Sequence, residues 1–194
     1  MNVLIIPEDF RKDQYLLQPL FTRLFSLIGK PRARVRVCLD PLLGGVQEAL
    51  KIENLRPIID RYAGMIDVFL LCIDRDGQVG RRQKLNAIER TLGTSCSFLA
   101  ENAWEELETW TLAGLDLPKD WQWNEIRAEV SVKERYFDIL AIKRGVADGP
   151  GGGRKVLGEE AARRVDVIRQ KCHEDFGAIA GRLEELCSGP FLRL

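Results

Sequence analysis

The sequence predicts an α/β fold, a mainly parallel sheet flanked by helices, and three observations predict it. Short apolar runs with strand character alternate with stretches of helical periodicity from Asn2 to about Leu112. The run Phe69-Leu70-Leu71-Cys72-Ile73 is apolar throughout, the pattern of a central strand buried on both faces. That run and the first strand, Asn2-Val3-Leu4-Ile5-Ile6-Pro7-Glu8, both end in acids, at the strand ends where ligands of parallel sheets gather.

Taken in order, Val3 to Ile6 makes the first strand. From about Arg11 to Ile28, the residues Tyr15, Leu16, Leu20, Leu24, Phe25 and Ile28 recur at helical spacing, with Pro19 expected to kink or delay the helix. Arg34 to Leu39 alternates charged and apolar residues, which suits a strand nearer the sheet edge. Asp40-Pro41 and Gly44-Gly45 mark a loop, and Val46 to Tyr62 reads as a helix interrupted by Pro57. Met65 to Ile73 is the third strand, Arg81 to Leu92 a helix stopped by Gly93, Cys96 to Ala100 a fourth short strand, and Ala103 to Leu112 a helix rich in Glu and Trp.

After Gly114 the alternation stops. Leu117 to Trp123 reads as a surface loop, Asn124 to Arg144 as largely helical, Gly149 to Gly153 as a mobile loop, and Glu159 to Gln170 and Asp175 to Leu186 as helices. The expected organisation is an α/β core over 1–115 with a mostly helical portion, 116–194, packed on it.

Composition narrows the functional classes. A chain of 194 residues is long enough for one full core, and 29 acidic against 29 basic residues leave no whole-molecule field to draw it to nucleic acid or an anionic membrane. Any such binding must be local. Five scattered cysteines, no Cys-x-x-Cys and His173 as the sole histidine argue for reduced, packed thiols and against a zinc site. The first apolar run is short and followed by Glu8 and Asp9, unlike a signal peptide, and no stretch approaches the roughly twenty apolar residues of a spanning helix. The expectation is a cytoplasmic protein with no membrane partner.

The chemistry concentrates in acids. Beyond the end of a strand alternate residues point the same way, so Asp74 and Asp76 are expected to share one small volume, and two carboxylates held that close repel unless a cation sits between them. Hard oxygen ligands favour Mg²⁺. Glu8, ending the other strongly apolar strand, supplies a third acid. The plainer reading is that Asp76-Gly77 makes a turn, Asp74 caps the backbone after it, and Asp9 caps the following helix. Glu101, Glu105 and Glu108 stand at i, i+4 and i+7 and would share a face if their helix began early, while Trp104, Leu107 and Trp110 at helical spacing read as core. Gly149 to Lys155 lacks the residue order of a P-loop, but its Arg154 or Lys155 is a candidate to meet a metal-bound phosphate. His173, on a polar stretch, reads as a surface residue.

These residues resemble a family. A strand ending in an acid (Leu4-Ile5-Ile6-Pro7-Glu8), a later strand ending in Asp-x-Asp (Ile73-Asp74-Arg75-Asp76) and the segment Glu105-Glu106-Leu107-Glu108-Thr109-Trp110-Thr111-Leu112-Ala113 are similar to compact Toprim-like proteins related to the nuclease half of overcoming-lysogenization-defect proteins. The resemblance covers most of the first 115 residues. It implies a Rossmann-like Toprim core and Mg²⁺ or Mn²⁺ bound by Glu8, Asp74 and Asp76 for phosphodiester chemistry. It further implies Glu105 or Glu108 as outer or second-metal ligands, and an ABC-type ATPase partner in defence against phage or plasmids. Two departures stand out: the glycine usual before the first acid is Pro7, and the family's second acid falls at Lys12 or is shifted to Asp13. The expected function is a Mg²⁺-dependent nuclease or phosphotransferase on nucleic acid. One alternative is a non-catalytic interaction subunit using Trp104, Trp121 and Trp123. The other is a haloacid-dehalogenase-like phosphatase with Asp74 as nucleophile, which Gln78-Val79 fits poorly.

Overall fold

The computed structural model describes residues 1–189; the last part of the expected helical portion, 190–194, lies outside them. Four strands, β1 (Asn2–Pro7), β2 (Arg34–Val37), β3 (Val68–Asp74) and β4 (Phe98–Ala103), form one sheet in the order β2-β1-β3-β4. Every neighbouring pair is parallel. The α/β class read from the sequence is therefore the class of the molecule. Because successive side chains on a strand point to opposite faces, the continuous apolar runs serve two cores at once. Val3, Ile5, Val68, Leu70 and Cys72 join one; Leu4, Ile6, Phe69, Leu71 and Ile73 join the other.

The second core is closed by α2 (Val46–Ala49), α3 (Ile52–Arg61) and α4 (Arg81–Leu92), through Ala49, Leu55, Ile58, Leu85, Ile88 and Leu92. The first is closed by α1 (Phe10–Leu27) and by nearly everything after β4. That C-terminal part comprises α5 (Glu108–Ala113), α6 (Trp123–Ala128), a single π-turn (Lys133–Phe137), α7 (Asp138–Lys143), α8 (Arg154–Ala162), α9 (Val165–Lys171) and α10 (Phe176–Ser188). Its apolar side chains share one core with α1 and the sheet. Phe21, Trp110 and Phe176 meet at centroid separations of 6.3, 5.2 and 5.7 Å. Close approach of α8 to α1 requires Gly158, where any Cβ would collide with the Tyr15 carbonyl oxygen.

From β1 the chain crosses to β2 on one side and then back over β1 to β3 on the other. The order thus reverses between β1 and β3, the kind of switch point where open parallel sheets hold ligands beyond their carboxyl ends. Glu8 and Asp74 stand at those two ends.

Several boundaries differ from the sequence reading. Pro19 lies inside an unbroken α1, and Pro57 lies inside α3; the break in the expected Val46–Tyr62 helix falls at Leu50–Lys51 instead. β4 extends to Ala103 because Cys72, Ile73 and Asp74 pair with Glu101, Asn102 and Ala103, so the helix expected from Ala103 begins only at Glu108. The expected Asn124–Arg144 helix is split into α6, the π-turn and α7, and the Glu159–Gln170 helix is split between α8 and α9. The glycine-rich segment is a compact turn. Gly151, Gly152 and Gly153 all have positive φ; a Cβ at Gly151 would meet the Tyr15 ring and one at Gly153 the Ala141 side chain. Among the described residues no helix is long and apolar enough to cross a membrane.

Candidate functional site

The site grows from the carboxyl ends of β1 and β3. β1 carries Glu8 one residue past its end, and Asp9 caps α1 by accepting from the Arg11 backbone N–H at 3.0 Å. One turn on, Asp13 accepts from the Asp9 backbone N–H at 3.1 Å, which turns its carboxylate back toward the strand ends. β3 ends in Asp74, whose Oδ1 accepts from the Leu107 N–H at 2.8 Å. α5 then opens with Glu108, 5 % exposed.

Glu8, Asp13, Asp74 and Glu108 form one electrostatic cluster. Burial, then the charges of Asp76 and Glu108, push Glu8 up to about 7. Burial, then Glu108, push Asp13 up to about 8, and the same two causes raise Asp74 well above the ordinary carboxylate range. The Glu8 Oε2 atom is buried without a partner. Two buried cations face the acids. Arg154 Nη2 donates to Glu108 Oε1, and Arg81 donates to the Arg75 carbonyl at 3.2 Å with its Nη2 3.7 Å from Asp76 Oδ2.

The sequence-predicted residues fare differently. Glu8, Asp74 and Glu108 are brought together. Asp76 does not simply repeat Asp74 on the same side: its φ of 53° is left-handed, it is exposed, and it stands at the rim beside Arg81. Glu105 is not in the cluster. With φ 69°, it clamps the β3–α4 loop by binding Arg75 Nη1 at 2.7 Å and the Gly77 N–H at 2.5 Å. The shared face expected for Glu101, Glu105 and Glu108 does not exist, since Glu101 lies in β4 and pairs with Arg82 at 2.7 Å and Arg182 at 3.2 Å.

Lys155 is exposed and lines a groove between α1 and α8; Arg154, one residue earlier, is the cation that reaches the acids. Leu107 and Trp110 are core as expected, but Trp104 is 37 % exposed, with the Arg75 guanidinium 4.1 Å from its ring centre. Trp121 packs edge-on against Tyr136 and Trp123 lies partly buried on the core, so neither stands free as a contact surface. His173 is exposed.

Sequence reasoning met Asp13 only as the shifted second acid of the family resemblance, and passed over Arg81. The signal for Asp13 was its place one helical turn from the Asp9 cap. For Arg81 it was its position opening the helix after the Asp-x-Asp turn, although nothing local marks an arginine for burial.

The family resemblance implies a divalent ion at this cluster. The donor set is hard oxygen, the cluster carries more acid than cation, and one buried Glu8 oxygen lacks a partner, all of which suit Mg²⁺ or Mn²⁺. As the side chains stand, no three acids, cysteines or histidines among the described residues close around a single ion position. The donor chemistry suits the ion, but the arrangement of the side chains does not close around one.

A pH dependence follows. A carboxyl group whose folded-state affinity for protons is raised stabilises the fold fully below its unfolded value, here 4.5 for Glu8 and 3.8 for Asp13, and that contribution is lost as pH rises through about 7 and 8. Glu101 and Glu106, each pushed by burial to about 7, act in the same direction. The metal-free protein should therefore melt at a higher temperature at pH 5.5 than at pH 8.5. The expected difference is roughly 3 kcal/mol or more, at about 1.4 kcal/mol per tenfold change in proton affinity. Calorimetry in EDTA across this range checks it; a midpoint that is flat or rises with pH would refute the description of the cluster.

Fold and site together define a class: a parallel α/β protein with a partly buried carboxylate cluster at the switch point of its sheet. Family models, curated proteins and solved structures contain no match to the chain, so the class rests on the residues themselves.

Proposed function

We propose that the chain is a Mg²⁺- or Mn²⁺-dependent Toprim-like nuclease or phosphotransferase acting on phosphodiesters of nucleic acid. The observation that carries this reading is the gathering of Glu8, Asp13, Asp74 and Glu108, from three separate segments, at the one point of the sheet where its order reverses, with more negative charge than Arg81 and Arg154 offset. A structural ion-pair network would balance its charges. This one retains acids at the cost of raised proton affinity.

Glu8 and Asp74, with Asp76 at the rim, would hold the ion, which when bound supplies charge neutralisation at a phosphoryl oxygen and a more acidic bound water. The chain's own residues do the rest. Glu8, with proton affinity near neutrality, suits a group that takes up or releases a proton at the reacting oxygen. Asp13, its pKa raised to about 8, and Glu108 stand behind the ligands, and Arg154 fixes the position of Glu108.

At pH 8, millimolar Mn²⁺ or Mg²⁺ should raise the melting midpoint by several degrees through preferential binding to the folded chain. Asp74→Asn should abolish the shift, and Mn²⁺-dependent cleavage of DNA should vanish with it. If the wild-type midpoint is unmoved by either ion, the metal reading fails. If the midpoint moves but no nucleic acid is cut, a non-catalytic role replaces it.

A further inference from the structure

The chain is neutral overall, but its charge is not evenly spread. Between Phe10 and Val37 it carries seven lysines and arginines and a single acid, Asp13. Among the described residues only Arg11 of these seven takes part in an ion pair, with Asp9. Many arginines elsewhere are paired, among them Arg61, Arg75, Arg82, Arg127, Arg144, Arg164, Arg169 and Arg182. Of the cations between Phe10 and Val37, Arg23 stands on the exposed face of α1, where an unpaired charge is available to an anionic partner.

A groove of about 800 Å³ lies between α1 and α8. Three cations line it: Arg23 from α1, Lys155 from α8 and Arg163 just past the end of α8, all exposed and none ion-paired among the described residues. Glu159 is the one acid on its walls, and Tyr15, Gln18 and Thr22 supply an aromatic ring and neutral hydrogen-bonding groups. This is the mixture that meets phosphates, sugars and bases, with cations and amides on the backbone and an aromatic ring for stacking. The groove starts at Gln14 and Tyr15, next to Asp13 of the acid cluster, and follows α1 to Ser26, about 18 Å at 1.5 Å per residue. The two helices that wall it are held close by Gly158, where a Cβ would meet the Tyr15 carbonyl oxygen.

We propose that this groove binds a single strand of nucleic acid, its phosphates on Arg23, Lys155 and Arg163, and leads it to the carboxylate cluster. The proposal rests on the phosphodiester reading for its substrate class, but the groove is testable without the metal. In EDTA, a fluorescently labelled 20-nucleotide DNA strand should bind the full chain. Affinity should fall about 20-fold between 50 and 200 mM salt, as three neutralised phosphates on a single strand require. The triple variant Arg23→Glu/Lys155→Glu/Arg163→Glu should bind at least tenfold more weakly with a flattened salt dependence. The milder Arg23→Gln/Lys155→Gln/Arg163→Gln should do the same to a smaller degree with an unchanged melting midpoint. Asp74→Asn should bind as the wild type does, which separates the groove from the metal site. Wild-type affinity in the glutamine variant, salt-independent binding, or tighter binding of a duplex of the same sequence would each overturn the proposal, whatever the acid cluster does with metal.

Discussion

Arg154→Ala should be among the most damaging single substitutions in the protein, costing about 3–5 kcal/mol, because it strips the counter-cation from a buried carboxylate while leaving that carboxylate in place. Arg154 is 3 % exposed. Its Nη2 is bonded to Glu108, its Nη1 donates to the Gly151 carbonyl at 2.7 Å, and its guanidinium lies 5.1 Å from the centre of the Phe137 ring. Without it, Glu108 would add its full charge to Glu8, Asp13 and Asp74, with Arg81 as the remaining cation. For a chain of this size the melting midpoint should drop by roughly 10 °C.

The mechanism makes two further demands on the same experiment. Adding Glu108→Gln should recover much of the loss, since the uncompensated charge is gone, whereas Arg154→Lys should recover only part, because an ammonium cannot reproduce the fork. Lowering the pH to 5.5 should also narrow the gap to wild type, as the raised carboxyls of the cluster take up protons. A double variant no more stable than Arg154→Ala would show that the arginine acts through its packing on Phe137 and not through charge.

The two central strands were legible in the sequence because a strand buried on both faces leaves an uninterrupted apolar run, as Phe69 to Ile73 does. The acids that end them were legible for the same reason: Glu8 and Asp74 are the first polar side chains the chain offers after such a run. What the sequence hid was set by partners distant in the chain. β4 continues through Glu101 and Asn102, poor strand formers by propensity, because β3 offers a parallel ladder beside them and Arg82 and Arg182 neutralise Glu101.

Asp76 stands near enough to Glu8 for its charge to act there, but it does so at the rim of a turn and not by the rule of alternation, which holds only while the backbone stays extended. A φ of 53° there ends it, and the Glu105 carbonyl accepting from the Arg75 N–H at 2.7 Å holds the turn. Glu105 looked like a ligand because its type and spacing matched; its partners, Arg75 and Gly77, lie about thirty residues away and leave no local mark. Arg154 and Lys155 could not be ranked from order alone, since the turn of Gly151, Gly152 and Gly153 decides which of two adjacent cations faces inward.

Trp110→Ala tests whether the sheet and the C-terminal helices fold as one unit. Trp110 is fully buried between Phe21 of α1 and Phe176 of α10, and its Nε1 donates to Asp175 at 2.9 Å. Asp175, 2 % exposed, also accepts from the Trp104 backbone N–H at 2.6 Å and from Arg127 at 2.8 and 3.0 Å. Truncation therefore removes a large ring from the centre of the shared core and one donor from a buried carboxylate that ties three segments together. The cost should be about 3–5 kcal/mol from the cavity alone, with more from the lost hydrogen bond. Trp110→Phe keeps most of the packing and should lose appreciably less.

The shape of the transition carries as much information as its midpoint. Because Phe21, Trp110 and Phe176 belong to one core with Val3, Leu70 and Leu157, the destabilised variant should still melt in a single transition by near- and far-ultraviolet circular dichroism. Two separated transitions, with the helices after α5 melting before the sheet, would mean that the C-terminal portion is a domain of its own. In that case the pairing of Arg154 with Glu108 would become a contact between domains, free to open, and the electrostatics of the acid cluster would depend on whether those domains are docked.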